Sequence, residues 1–172
     1  MDRVCCPTCG EEHDLHEIEP CFDRPDAYFA IPEAERRTRA WNGDQLCVLW
    51  EHNDLPRRHF VRAILPIPIR GEPNSYAWGV WIEVAESDFS FIHDHWTDPN
   101  QASAAPMPGH LANELASMAS TLGLPGTLQL TGPSTVPEYH LDRTLPHELA
   151  AEQRDGVFTE RLVEWAARAV HG

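Results

Sequence analysis

The stretch Tyr76-Ala-Trp-Gly-Val-Trp-Ile-Glu-Val-Ala85 constrains the fold more than any other part of the chain. In an extended chain, side chains alternate between two faces. Tyr76, Trp78, Val80, Ile82 and Val84 therefore share one face, and Trp81 and Glu83 the other. Aromatic and β-branched residues at this density suit a pleated strand. Trp81 brings apolar surface to the second face as well, which predicts a central strand covered on both sides. Gly79 offers no side chain to pack, so it marks a bulge or a close approach of another backbone.

The flanking segments extend this strand into a sheet. Gln45 to Glu51 reads as one strand, and Arg58 to Leu65 as a second that continues raggedly through Pro66-Ile67-Pro68-Ile69. Proline cannot donate to a ladder, so that end belongs at an edge or a bulge. Short turns join these three strands, which predicts an antiparallel meander. Helices are expected from Pro32 to about Arg39, with Trp41 packing its end, from Glu86 to Trp96, and at the C terminus. There Phe158, Leu162, Trp165, Ala166 and Ala169 form an amphipathic stripe. Leu111, Leu115, Met118 and Leu122 also follow helical spacing, with Gly123 as a stop. Thr97 to Gly109 reads as a mobile loop, and 127–131 and 136–141 as two further strands. The sum is an α+β fold, one domain over residues 1–172, with an antiparallel sheet, flanking helices and an N-terminal zinc-knuckle-like turn within 1–21.

That turn is Cys5-Cys6-Pro7-Thr8-Cys9-Gly10-Glu11-Glu12-His13. Cys6 and Cys9 have the C-x-x-C spacing that aims two thiolates at one Zn²⁺ ion, and Gly10 lets the turn close. Two more ligands must come singly, from His13, His16, Cys21 or Cys47. An unmetallated turn and a redox pair are the other readings of the same spacing. No strand precedes the motif and no βαβ pattern follows, which disfavours thioredoxin-like chemistry.

Charge narrows the partners. Twenty-seven acids against thirteen bases give a formal net charge of −14. Such a field repels nucleic acid and anionic membrane, and suits solubility or a basic protein partner. No apolar run reaches the ~20 residues of a membrane span. The first residues lack the apolar core of a signal peptide, so a cytoplasmic location is expected.

Several stretches together resemble a bacterial family known as domain of unknown function 2199. They are Cys6-x-x-Cys9-Gly10-x-x-His13, Phe22-Asp23-x-Pro25-Asp26-x-Tyr28-Phe29-Ala30-Ile31-Pro32-Glu33-x-Glu35-Arg36, Cys47-Val48, Trp78-Gly79-Val80-Trp81, Trp96-x-Asp98-Pro99 and Ala150-x-Glu152-Gln153-Arg154-x-Gly156. The resemblance spans nearly the whole chain and implies a single-domain, soluble bacterial protein with no established activity. It also implies His13 and Cys47 as the ligands that join Cys6 and Cys9. The chain departs from the family pattern at Glu148 and at Ser117 to Ser120.

No G-x-S-x-G, P-loop or dinucleotide fingerprint occurs. His59, His140, Asp142, Glu152 and Asp26 are candidate acids and bases, but their spacing predicts no shared site. A binding or accessory module, immunity-like by analogy, is the leading reading. Its partner surface is expected at the loop after Asp94, with Trp96 and Asp98. The alternative is a small-molecule-binding protein or an enzyme, with a pocket lined by Tyr28, Trp78 and Trp81.

Overall fold

The computed structural model describes residues 3–5, 12–14, 20–51 and 56–171, the first two segments and residues 166–171 by their backbone alone. Strands β1 (Arg3–Cys5) and β2 (Glu12–Asp14) pair antiparallel as a small hairpin, with Cys5 opposite Glu12. Short helices α1 (Asp26–Phe29) and α2 (Glu33–Arg39) follow. Then come β3 (Ala40–Asn42), β4 (Leu46–Trp50), β5 (Arg57–Pro68) and β6 (Ser75–Val84). Helix α3 (Glu86–Asp94) leads to β7 (Met107–Leu111), β8 (Pro125–Gln129) and β9 (Glu138–Leu141). Helices α4 (Glu148–Asp155) and α5 (Thr159–His171) complete the chain.

The mixed α+β composition holds, but the sheet is not a simple antiparallel one. Strands β3 to β9 lie in sequence order, and β9 returns to pair parallel with β5 through Ile64 and Glu138. This closes β5 to β9 into a five-stranded mixed barrel, a contact no local pattern encodes.

Strand β6 is central and covered on both faces, as its sequence predicts. Its register sets Tyr76, Trp78, Val80 and Ile82 opposite Ile67, Leu65, Ala63 and Val61 of β5. All eight are buried in the main core, which α3, α4 and α5 cover with Phe89, Ile92, Leu149, Leu162 and Trp165. Trp81 points the other way, into a smaller cluster with Ile31, Cys47, Leu49, Phe60 and Ala112.

The prolines of β5 are where the parity of the strand lets them be. Arg62 and Ile64 donate their N–H groups away from β6, to Gln45 and Pro137. Pro66 and Pro68 share that parity, so their missing donors fall on the side where the ladder has ended. Their carbonyls are used instead, by the Gln153 amide at 3.2 Å and the Val157 N–H at 2.9 Å.

Three local expectations are corrected. Met107 to Leu111 is a strand rather than part of a mobile loop. Gly109 permits it, since a Cβ there would stand 2.5 Å from Ile82 Cγ2. Residues 112–124 do not form the helix that their leucine spacing suggests. Polar side chains take the backbone donors instead: Thr121 Oγ1 accepts from Leu115, and Glu114 Oε2 from Thr121 and Leu122. Trp41 does not pack the end of a helix but lies on edge strand β3, 47% exposed.

Candidate functional site

The segment from Pro20 to Ile31 crosses the outer face of the barrel as a strap. It is fixed at three levels. Gly79 N donates to Pro20 O and Phe22 N to Gly79 O, both at 2.9 Å, in a parallel bridge against β6. The Trp81 indole N–H donates to Phe22 O at 3.0 Å. Asn113, fully buried, accepts from Trp81 N at 2.7 Å and donates to Arg24 O at 2.9 Å and Asp26 Oδ1 at 3.0 Å. The second Asp26 oxygen accepts from Glu114 N at 2.8 Å. Every polar atom of this network is satisfied, as burial requires.

An open cleft of about 640 Å³ lies between this strap, strand β5 and the turn that leads into β4. Tyr28 and Phe29 form one wall, their rings edge to face at 5.4 Å. Arg24 and Arg62 line it half-buried, and exposed Asp23 and Asp44 stand at it. Arg24 lies over the Trp81 ring at 5.6 Å and, among the described residues, donates to the carbonyl of Asp23 alone. Arg62 donates one terminal nitrogen to the Cys21 sulfur. Neither guanidinium meets a carboxylate among the described residues. Arg36 stacks on Tyr28 and Phe29 at 5.1 and 5.6 Å and donates to Ile31 O and Phe29 O. Phe29 is nonetheless 55% exposed. Gln45 also lines the cleft, and its buried Oε1 has no donor.

The three aromatic residues expected to share a pocket are divided by the sheet. Tyr28 and Trp81 belong to the cluster beneath the strap, and Trp78 to the barrel core beside Tyr76 and Trp165. Sequence reasoning missed Arg24 and Arg62, which lie far apart in the chain.

A family model described as an uncharacterised protein conserved in bacteria, DUF2199, matches residues 5–157. The chain belongs to this family. The match runs through the strap, the cleft residues, the whole barrel and α4. No curated protein and no solved structure matches the chain.

In this DUF2199 protein the expected metal ligands are only partly placed. Cys6 and Cys9 lie outside the described residues, between β1 and β2, and His13 is placed by its β2 backbone opposite Val4. Cys47 is fully buried on β4, and its thiol donates to Asn42 Oδ1 at 3.3 Å. Burial pushes that thiol up to about 12, with nearby Arg24 opposing. Among the described residues, no three His, Cys, Asp or Glu side chains are grouped to hold a metal ion.

The candidate acids and bases are dispersed, and no hydrogen bond joins any two of the five. Asp26 serves the strap network. His59 is buried against Phe89 at 5.0 Å, and its pKa is lowered, first by desolvation. His140 meets Glu138 at 3.1 Å. Asp142 accepts from Thr144 within a turn. Glu152 of α4 is held by Arg161 at 2.8 Å.

Proposed function

We propose that this protein is a binding module whose ligand enters the cleft between the strap, strand β5 and the turn into β4. One observation carries the reading: two half-buried arginines that meet no carboxylate among the described residues share an open cleft with the exposed ring of Phe29. Concave sites that combine apolar walls with a few fixed polar groups are where ligands bind. The strap network supports it further, because Asn113 fixes the Arg24 backbone and Trp81 fixes its side chain. An NMR titration of the full chain with mixed neutral, cationic and anionic small molecules tests this. Backbone amides of 23–29 and 44–45 are expected to shift; binders that perturb only other regions would place the site elsewhere.

The basic protein partner suggested by the net charge has a separate candidate surface. Phe91 of α3 is exposed beside Asp94, whose side chain is 70% exposed. Asp98 is half-buried and accepts from the Asn100 N–H in a turn, whereas Asp94, which meets His93 Nδ1 at 3.0 Å, is exposed, so Asp94 is the better steering charge. Asp94→Lys is expected to slow association with such a partner, and raised salt to weaken it. Binding indifferent to both would remove this surface.

The N-terminal hairpin is proposed to hold a structural zinc ion through Cys6 and Cys9, with His13 and Cys47 as further ligands. The pairing of β1 with β2 supports this by setting Cys5 opposite Glu12, the residues that flank C-x-x-C-G in the sequence. Metal would there supply folding energy to a segment too short for its own core.

A further inference from the structure

The ligand class of the cleft can be narrowed, in an inference that rests on the binding reading above. We propose that the cleft takes a small monoanionic carboxylic acid with an apolar body. The carboxylate would sit on the unused edges of Arg24 and Arg62, and the body against Tyr28 and Phe29.

The donors decide the sign of the charge. Arg24 uses one terminal nitrogen on the Asp23 carbonyl, and Arg62 one on the Cys21 sulfur. Guanidinium carries five N–H donors in a planar fork that matches a carboxylate, so each arginine keeps a pair of donors for a ligand. The cation–π contact with Trp81 at 5.6 Å and the bond to the Asp23 carbonyl restrain the Arg24 guanidinium before a ligand arrives, which reduces the ordering cost of binding.

The acids of the cleft decide how much charge. Asp23 and Asp44 are exposed, whereas Arg24 and Arg62 are half-buried. Interaction with the arginines is therefore less screened by water, and an anion inside the cleft is attracted on balance. A second negative charge on the same group would meet two carboxylates, while the cation behind the aromatic wall, Arg36, is engaged over the Tyr28 and Phe29 rings and on the Ile31 and Phe29 carbonyls, which disfavours a phosphate dianion.

The aromatic wall decides the body. Arg36 covers part of both rings, yet Phe29 stays largely exposed in a position where apolar contact would bury it. A ring or branched aliphatic chain beside the carboxylate satisfies that surface.

Benzoate, its neutral isostere benzamide, and inorganic phosphate separate these points when titrated into the full chain by NMR. Benzoate is expected to shift the cleft amides, and benzamide to bind about tenfold more weakly or worse, since a charged hydrogen bond is worth about that factor. Phosphate, held at alkaline pH where it is a dianion, is expected not to displace benzoate. Arg62→Gln should weaken benzoate about tenfold, and Arg62→Lys, which keeps the charge but not the fork, should recover part of the loss. A dispersed spectrum confirms that each variant is folded. Equal binding of benzamide and benzoate, indifferent to Arg62, would overturn the carboxylate while leaving the binding cleft intact. Displacement by phosphate would overturn the monoanion, and silence from all three probes would overturn both readings.

Discussion

The side chain of Cys21 lies directly against the bare backbone of Gly79. A Cβ at Gly79 would stand 2.6 Å from the Cys21 sulfur, 3.2 Å from its Cβ and 3.3 Å from its Cα. The two residues form the bridge that lays the strap on β6. The glycine between two tryptophans is therefore a landing place for a second chain segment, not a weak point in the strand.

Gly79→Val should consequently destabilise the protein by about 1–3 kcal/mol through overpacking. The sulfur could swing aside, but the Cα of Cys21 cannot move without lifting the strap. Chemical denaturation measures the effect, and a midpoint that rises would mean that strand propensity outweighs the contact. Gly79→Ala with Cys21→Gly should recover part of the loss seen with Gly79→Ala alone.

Asn113 joins three elements, so its removal should be felt widely. Asn113→Ala leaves the Trp81 N–H buried without an acceptor and frees the Arg24 carbonyl and Asp26. A cost of about 1–3 kcal/mol is expected for a stranded buried group. The same variant should weaken ligand binding in the cleft, because it loosens the backbone that carries Arg24. An unchanged unfolding midpoint would show that water replaces the side chain.

The sequence made some of this legible and hid the rest for physical reasons. Alternation revealed β6, its two covered faces and the special place of Gly79, because each is encoded within ten residues. The closure of β5 against β9 joins Ile64 to Glu138 and has no local signature. The leucine spacing over 111–122 imitated a helix, while Asn113, Glu114 and Thr121 were satisfying the backbone of an irregular loop. Tyr28 is legible as a candidate pocket residue. Its companions Arg24 and Arg62 come from a strap and a strand that only the fold brings together. A usable signal was present in Arg24 itself, a lone base set among aromatic residues in a strongly acidic chain.

Glu152 offers a test of ion-pair cost against ion-pair gain. It contacts Arg161 at 2.8 Å, yet its other oxygen is buried with no donor among the described residues. Its pKa is raised, chiefly by desolvation, with Arg161 opposing. A carboxyl group raised on folding binds a proton more readily in the native state. Its ionisation therefore removes stability as pH climbs from the unfolded glutamate value, about 4.3, through the higher native value. Glu152→Gln should thus gain on the wild type across that window and hold a constant difference above it. Wild type gaining on the variant as pH rises would show that the pair with Arg161 dominates.

The zinc proposal has the most direct test. Protein purified without chelator should contain about one zinc per chain in roughly tetrahedral geometry. Cys6→Ser and Cys9→Ser should each lose it, since half of the thiolate set is gone. Stoichiometry near zero in the wild type would end the proposal. Cys47→Ser decides the remaining position. A cysteine binds a metal as its thiolate, whereas Cys47 is a buried thiol that burial pushes up to about 12 and that donates to Asn42. Recruiting it would require giving up that proton and that bond, so zinc uptake through Cys47 should release an extra proton and weaken steeply as pH falls. Loss of zinc in Cys47→Ser, with the fold preserved, assigns the ligand to Cys47. Full retention of zinc, with an unchanged pH dependence, gives the place to His16 or Cys21 and leaves Cys47 as a core residue beneath the strap.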